Sequence, residues 1–322
     1  MLLAAVQDCV RDELLAVERL FARELHSDLP CVATLARHVA RFRGKMLRPK
    51  LVLLSAKAAG TLTPAHIVLA TVVEMVHVST LVHDDVLDEA ELRRKGATIN
   101  HLRGNEAAVM LGDYLISHSY HLCSSLDSQF ASRLVARTTN EVCEGELLQI
   151  HNRNNYDLDE STYLRIIEMK TASLCGASCL LGARHAGAPE PVVRNLETYG
   201  RSLGIAFQVQ DDILDLVGDT AVVGKSLGSD IEKGKLTLPL IHFLRTAPRE
   251  HIALMRSLLQ SRDPDKIERI RNLLLPSGSI EYARSRARHY VQQAHDCLAD
   301  LCPSDAARLL HAIADFVLAR EQ

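Results

Sequence analysis

Leu81-Val82-His83-Asp84-Asp85-Val86-Leu87-Asp88-Glu89-Ala90-Glu91-Leu92-Arg93-Arg94 closes a long apolar run, and the fold is read outward from it. Thr63 and Pro64 have the form of an N-cap and a first helical residue, and neither Gly nor Pro interrupts the chain from Ala65 to Arg94. The spacing predicts one helix running straight to the acids, with Gly96 ending it. Helical periodicity puts Asp84 and Asp88 on one face and Asp85 on their flank, so up to three carboxylates converge within reach of one hard cation. Leu81, Val82, Val86 and Leu87 make the surrounding wall apolar, where uncompensated carboxylates are costly.

A single D-D-x-x-D is weak, because acidic pairs at this spacing are common on solvated helix faces. This chain has a second one. Gln208-Val209-Gln210-Asp211-Asp212-Ile213-Leu214-Asp215 follows another apolar helical run, Leu203 to Phe207. Two such clusters on different helices, facing each other across a cavity, suit the oxygen-only coordination that magnesium requires. Magnesium between carboxylates points in turn to a phosphate-bearing substrate.

Composition narrows the class. With 37 Lys and Arg against 40 Asp and Glu, the net charge of −3 is too small to favour nucleic acid or a strongly charged membrane as partner. No Pro/Ser-rich linker or low-complexity run divides the 322 residues, so a single domain over 1–322 is expected. Met1 to Val6 is briefly apolar, but no basic segment precedes it and Asp8, Arg11 and Asp12 follow, which argues against a signal peptide and for a cytoplasmic protein. The window Ile67 to Val82 contains Glu74 and His77 and is short for a membrane span; it reads as a buried core helix. The 8 cysteines lack paired C-x-x-C spacing and read as reduced and structural.

Along the chain, Leu3, Val6, Val10, Leu14, Val17, Phe21 and Leu25 recur at helical intervals, giving an amphipathic first helix. A second helix follows the break from Ser27 to Pro30. Arg43-Gly44-Lys45-Met46-Leu47-Arg48-Pro49 then sets two cations about a turn-permissive glycine. Arg93 and Arg94 lie one to two turns past Asp88, within reach of the same phosphate-bearing volume. Gly112-Asp113-Tyr114-Leu115 is expected to open a helix, and Glu144-Gly145-Glu146-Leu147-Leu148-Gln149 to end one; both read as packing. From Val217 to Lys235 the chain is glycine-rich and carries Lys225, Lys233 and Lys235, the composition of a lid-like loop. Amphipathic helices follow to the end. No segment alternates with period two, so the fold class is all-α: a single large helical bundle around a central active-site cavity.

These motifs together resemble the trans-isoprenyl diphosphate synthases, with the long-chain, octaprenyl-type members nearest. Gly44-Lys45-x-x-Arg48-Pro49, His77, the first aspartate motif with Arg93-Arg94, Lys170-Thr171, Phe207-Gln208-x-x-Asp211-Asp212-x-x-Asp215, Gly224-Lys225 and Gly234-Lys235-x-Thr237-x-Pro239 occur in the family's order. The resemblance implies that Lys45, Arg48, His77 and Arg94 bind isopentenyl diphosphate, and that Arg93, Lys170, Lys225 and Lys235 hold the allylic diphosphate. It implies two or three magnesium ions on Asp84, Asp88 and Asp211, with Asp85 and Asp215 in the same set, and Thr171 and Gln208 at the reacting centre. A homodimer is also implied. Arg43, Met46 and the order Lys95-Gly96 depart from the family's pattern and bear on loop geometry.

The implied chemistry is ionisation of an allylic diphosphate in a site that excludes water, followed by addition of the isopentenyl double bond and loss of a proton. Three rivals fit less well. A non-catalytic subunit of a hetero-oligomeric synthase need not keep all six motif aspartates; a di-iron bundle needs a second Glu-x-x-His besides Glu74-x-x-His77; a terpene cyclase lacks the second full aspartate motif and the isopentenyl clamp. Upstream of Asp84 the helix presents Thr80, Ser79, Val76, Val73 and Val72, none aromatic. That is about 18 Å of open lining at the standard rise, which predicts an all-trans product between hexaprenyl and decaprenyl, with geranylgeranyl as the alternative.

Overall fold

The structure is a computed structural model that describes residues 6, 8–41, 44–93, 96–218 and 227–319. Leu3, Arg43, Arg94, Lys95, Gly224 and Lys225 lie outside the described residues. In chain order the helices are α1 (Arg11–Glu24), α2 (Pro30–Arg41), α3 (Leu47–Ala59) and α4 (Pro64–Leu87). A two-residue hairpin, β1 (Leu92–Arg93) and β2 (Gly96–Ala97), leads into α5 (Ile99–Arg103), α6 (Asn105–Ser124), α7 (Gln129–His151) and α8 (Glu160–Ile167). A π-helical turn, Glu168–Ala172, joins α8 to α9 (Ser173–His185), and α10 (Glu190–Val217) follows. The remaining helices are α11 (Ser229–Glu232), α12 (Leu238–Thr246), α13 (Arg249–Gln260), α14 (Lys266–Leu274), α15 (Ser279–Asp296) and α16 (Asp305–Leu318). The all-α class holds, with the hairpin as the one strand pair among the described residues.

The chain folds as two compact units. The first comprises residues 1–140, 174–200 and 300–310, and the second 141–173, 201–299 and 311–322. Helices α7 and α10 run unbroken through the changeover points near 140 and 200, in keeping with a sequence that has no linker there.

Helix α4 is the core of the first unit. Thr63 caps it as read from the sequence, and His66 completes the box, its Nδ1 accepting from the Thr63 N–H at 2.9 Å. His66 Nε2 also lies 3.1 Å from the Gly182 carbonyl, which ties the start of α4 to α9. Leu69, Val72, Val73, Met75 and Val76 are buried, each stabilising the fold by about 1.5–3 kcal/mol, so the apolar run is a core helix. The expected stripe on α1 is likewise buried, at Leu14, Val17 and Phe21.

The sequence reading carries α4 too far. The helix stops at Leu87, with Asp88 as its C-cap donating to the Asp84 carbonyl at 2.8 Å, and Glu89 takes a left-handed φ of 49°. Thr98 Oγ1 and Asn100 Nδ2 donate to the Ala90 carbonyl at 2.6 and 3.0 Å and draw the chain back as a hairpin, which places Arg93 opposite Gly96. Gly112 to Leu115 lies inside α6, which opens earlier, after Gly104 at φ 85°.

The core of the second unit gathers Tyr163 and Ile167 with Val209, Ile213 and Leu216 of α10. Leu240 and Phe243 of α12, Met255, Ile270, Ala283 and Ala287 complete it. The segment read as a lid is built, where described, as a fixed turn. Gly228 donates to the Asp215 carbonyl at 2.8 Å, and the Gly234 carbonyl accepts from Asn154 at 2.8 Å. Both glycines sit at positive φ, and a Cβ on Gly234 would meet Asn154 Oδ1 at 2.4 Å.

Candidate active site

In the first unit, two helix ends carry side chains of the same sign as their own dipoles. Helix α3 opens at Met46 in the left-handed region with no side-chain cap and no acid in its first turn, while Lys45 and Arg48 stand at that positive end. Lys50, one turn on and buried, has its ammonium held below the usual lysine range by burial and then by the Lys45 charge. Arg48 Nε is a buried donor with no acceptor. This end suits an anion. Helix α4 finishes the opposite way, with Asp84 in its last turn, Asp88 at its C-cap and no basic residue among them. That end suits a cation.

The expected trio of carboxylates does not form. Asp85 is buried and accepts from Arg93, whose Nε reaches its two oxygens at 2.9 and 3.0 Å and whose second guanidinium nitrogen lies 2.8 Å from Oδ1. Successive helical residues are about 100° apart, so the middle aspartate is turned off the face that Asp84 and Asp88 share. Asp85, expected as a metal ligand, anchors the hairpin in this structure, and Arg93, expected on the allylic diphosphate, is its partner. Along α4, His77, Thr80, Asp84 and Asp88 form a partly exposed stripe, whereas Val76 and Ser79 are buried. Ser79 Oγ donates to the Gly112 carbonyl at 2.9 Å and Thr80 Oγ1 to that of His77 at 2.7 Å. Ser79 therefore faces α6, and only Thr80 of the expected chain-length set stays partly accessible.

In the second unit the π turn carries Lys170 and Thr171. A Cβ on Gly145 of α7 would come within 2.7 Å of the Lys170 backbone nitrogen, and one on Gly204 of α10 within 2.5 Å of Ala172 Cα. Two glycines thus grip the turn from both sides. The Lys170 ammonium is ion-paired with Glu146 and donates to Gln149 Oε1 at 3.0 Å. Thr171 Oγ1 donates to Gln208 Oε1 at 3.1 Å, Gln208 Nε2 donates to Asp212 Oδ1 at 2.8 Å, and Tyr163 donates to Asp212 Oδ2 at 2.6 Å. Asp212 is buried. Burial first, and then the Asp230 charge, pushes its carboxyl well above the usual carboxylate range. Burial and then the Asp212 charge push the Tyr163 phenol up as well.

Asp211 and Asp215 occupy one face of α10 near its C-terminus, where the last turn again holds no base. Asp215, expected as a metal ligand, accepts from the backbone N–H groups of Ser229 and Asp230 at 3.2 and 3.1 Å and so fixes the start of α11. Lys235 follows in the same turn, its N–H on the Asp230 carbonyl at 2.8 Å.

The polyprenyl synthetase family model matches residues 30–274. The chain belongs to the polyprenyl synthetase family. It is a prenyltransferase. It is 34% identical to the octaprenyl diphosphate synthase of Haemophilus influenzae, over 96% of this chain and 94% of that one. A decaprenyl diphosphate synthase from Rhodobacter capsulatus superposes with a TM-score of 0.94 at 33% identity, covering 99% of each chain. A polyprenyl synthase from Caulobacter crescentus, complexed with calcium and isoprenyl diphosphate, superposes with a TM-score of 0.92 at 32% identity, covering 99% of this chain and 98% of that one.

Polyprenyl synthetases use divalent metal ions, and the donors here fit such ions. Among the described residues, no three His, Cys, Asp or Glu side chains are grouped to enclose a metal. Magnesium does not need such a cage, since it keeps waters and substrate phosphates in its shell and takes one or two carboxylates. The acidic ends of α4 and α10, with no basic residue in their last turns, offer such donors. The bracing by Tyr163, Asp212 and Glu146 is tertiary and has no signature in the motifs. The one legible signal was the helical wheel, which turns Asp212 away from Asp211 as it turns Asp85 away from Asp84.

Proposed function

We propose that this chain condenses isopentenyl diphosphate with an allylic prenyl diphosphate and repeats the step to an all-trans product of hexaprenyl to decaprenyl length. Helix ends loaded with charge of their own sign carry this reading: the helix dipole opposes that charge, and a bound ion of opposite sign offsets it. Lys45 and Arg48 at the start of α3, with His77 and Arg94, hold the isopentenyl diphosphate. Arg93, Lys170, Lys225 and Lys235 hold the allylic diphosphate. Asp84, Asp88 and Asp211 are the principal ligands of two or three magnesium ions, while Asp85 and Asp215 support them through Arg93 and α11. Magnesium, when bound, supplies positive charge to the departing diphosphate. Thr171 and Gln208, fixed through Asp212 and Tyr163, present oriented dipoles to the reacting carbons at no reorganisation cost during the step. The carboxylates serve as ligands and braces, with no general-acid role.

Chain length follows from α4, whose accessible stripe toward Asp84 ends in Thr80, a small residue that leaves room for a growing tail. The octaprenyl and decaprenyl relatives support the same range. A geranylgeranyl product is the second reading, favoured by the burial of Val76 and Ser79 against their neighbours. The protein acts as one catalytic domain, residues 1–322, in a cytoplasmic homodimer, a state that light scattering tests. Pro64–Leu87 is long and apolar enough to cross a membrane, but most of its apolar window is buried inside the protein. Incubation with labelled isopentenyl diphosphate, farnesyl diphosphate and magnesium, followed by sizing of the products, tests the proposal. A ladder ending between hexaprenyl and decaprenyl is expected; a product that stops at farnesyl, or full turnover in excess EDTA, contradicts it.

A further inference from the structure

Glu144-Gly145-Glu146-Leu147-Leu148-Gln149 closes α7 and has no part in the chemistry described above. Two of its side chains nonetheless hold Lys170. The ammonium is ion-paired with Glu146 and donates to Gln149 Oε1 at 3.0 Å, with side-chain exposures of 22% for Lys170 and 13% for Glu146. Gly145 immediately precedes Glu146, and a Cβ there would meet the Lys170 backbone nitrogen at 2.7 Å, so the π turn lies close against this stretch of α7. The cation assigned to the allylic diphosphate therefore rests against a carboxylate on a rigid element.

We propose that Glu146 is a positioning residue that holds Lys170 back and competes with diphosphate for its charge, so that diphosphate is bound more weakly and released sooner. A diphosphate reaching Lys170 must share the ammonium with Glu146 and meets the like charge of that carboxylate in a partly desolvated setting, where repulsion is stronger than in water. Gln149 fixes the direction of the ammonium without adding charge. The device suits an enzyme that repeats its reaction, because every added isoprene unit leaves a pyrophosphate to be expelled. Tight binding of that product would slow each cycle without helping the bond-forming step. The proposal rests on the reading of Lys170 as a diphosphate ligand.

The test is inhibition of the full-length enzyme by inorganic pyrophosphate with magnesium present. Glu146→Gln is expected to lower the pyrophosphate Ki about tenfold, corresponding to about 1.4 kcal/mol, and to lower KM for farnesyl diphosphate. KM for isopentenyl diphosphate stays unchanged and kcat falls as release slows. Gln149→Glu, which adds a second carboxylate at the same ammonium, is expected to raise Ki. Opposite shifts from two near-isosteric changes cannot come from lost packing or partial unfolding. An unchanged or raised Ki in Glu146→Gln, or shifts of the same sign in both variants, overturns the proposal. Lys170→Gln separates the two layers: if it leaves Ki unchanged, the reading of Lys170 itself fails, whereas if it raises Ki while Glu146→Gln does not lower it, only the role of Glu146 fails.

Discussion

At the end of α4 the middle aspartate of D-D-x-x-D is held by a guanidinium; at the end of α10 it is held by a phenol and an amide. The sequence motif is the same, and so is the geometry that turns the middle residue away from its neighbours. The partners differ, and so does what is stabilised. Asp85 with Arg93 is a charge-assisted pair that fixes a hairpin and holds a cation close to the Asp84 and Asp88 end. Asp212 gathers neutral donors into a partly buried chain, Tyr163 to Asp212, Gln208 to Asp212 and Thr171 to Gln208, that fixes the side chains of Thr171 and Gln208. One acidic motif thus serves as an electrostatic anchor in one unit and as a hydrogen-bond organiser in the other.

The largest effect should come from the outer aspartates. Asp84→Asn and Asp211→Asn are each expected to lower kcat at least about 100-fold, the scale of losing a key electrostatic stabiliser, as measured by steady-state assays at saturating magnesium. Unchanged turnover in either variant refutes the assignment of that end. The middle residues should separate by kinetic parameter. Asp85→Asn leaves Arg93 without a charged partner and frees the hairpin, so KM for the allylic substrate should rise about tenfold with a smaller change in kcat. Tyr163→Phe removes a donor from buried Asp212 and should lower kcat severalfold with both KM values nearly unchanged, at a stability cost of about 1–3 kcal/mol by denaturant titration. The same parameter changing in both variants would erase the distinction between the two ends.

The smallest effect on rate, and the clearest on product, is expected on α4. Thr80→Phe places a ring on the accessible stripe and should shorten the product toward farnesyl or geranylgeranyl while leaving the first condensation largely intact. Ser79→Tyr should shorten it less cleanly, because Ser79 faces the Gly112 carbonyl and a larger side chain there must displace α6, an overpacking cost of about 1–3 kcal/mol. Product sizing with thermal melts of both variants checks this; an unchanged ladder in Thr80→Phe shows that the growing tail does not follow this helix.

Much of this was legible in the sequence, and the gaps have physical causes. Cap, apolar run and absence of breakers gave α4 its start and its burial, because those signals are local. Its end was misread because Thr98 and Asn100, which pull Ala90 into the hairpin, act from across a turn and leave no trace in the periodicity of residues 81 to 94. The π turn was invisible for a similar reason: Glu168–Ala172 reads as ordinary helix, and the close approach of Gly145 and Gly204 that seats it is purely tertiary. The composition from Val217 to Lys235 is that of a lid-like loop, and among its described residues Gly228 and Gly234 sit in turns bonded to Asp215 and Asn154, which composition does not reveal. Motif order is what names the candidate site residues as a set. It does not name the partners of Asp85, Asp212, Asp215 and Lys170, because a motif states which residues recur and not what holds them.

The division of labour within each aspartate motif is tested most directly by counting metal. Manganese can replace magnesium as the probe, with binding followed by electron paramagnetic resonance in the presence of pyrophosphate, for the wild type and for Asp84→Asn, Asp85→Asn, Asp211→Asn and Asp212→Asn. Loss of an outer aspartate should weaken manganese binding at least about tenfold, a difference of about 1.4 kcal/mol, whereas loss of a middle aspartate should leave it within about twofold. Equal weakening by Asp84→Asn and Asp85→Asn, or by Asp211→Asn and Asp212→Asn, would contradict the account.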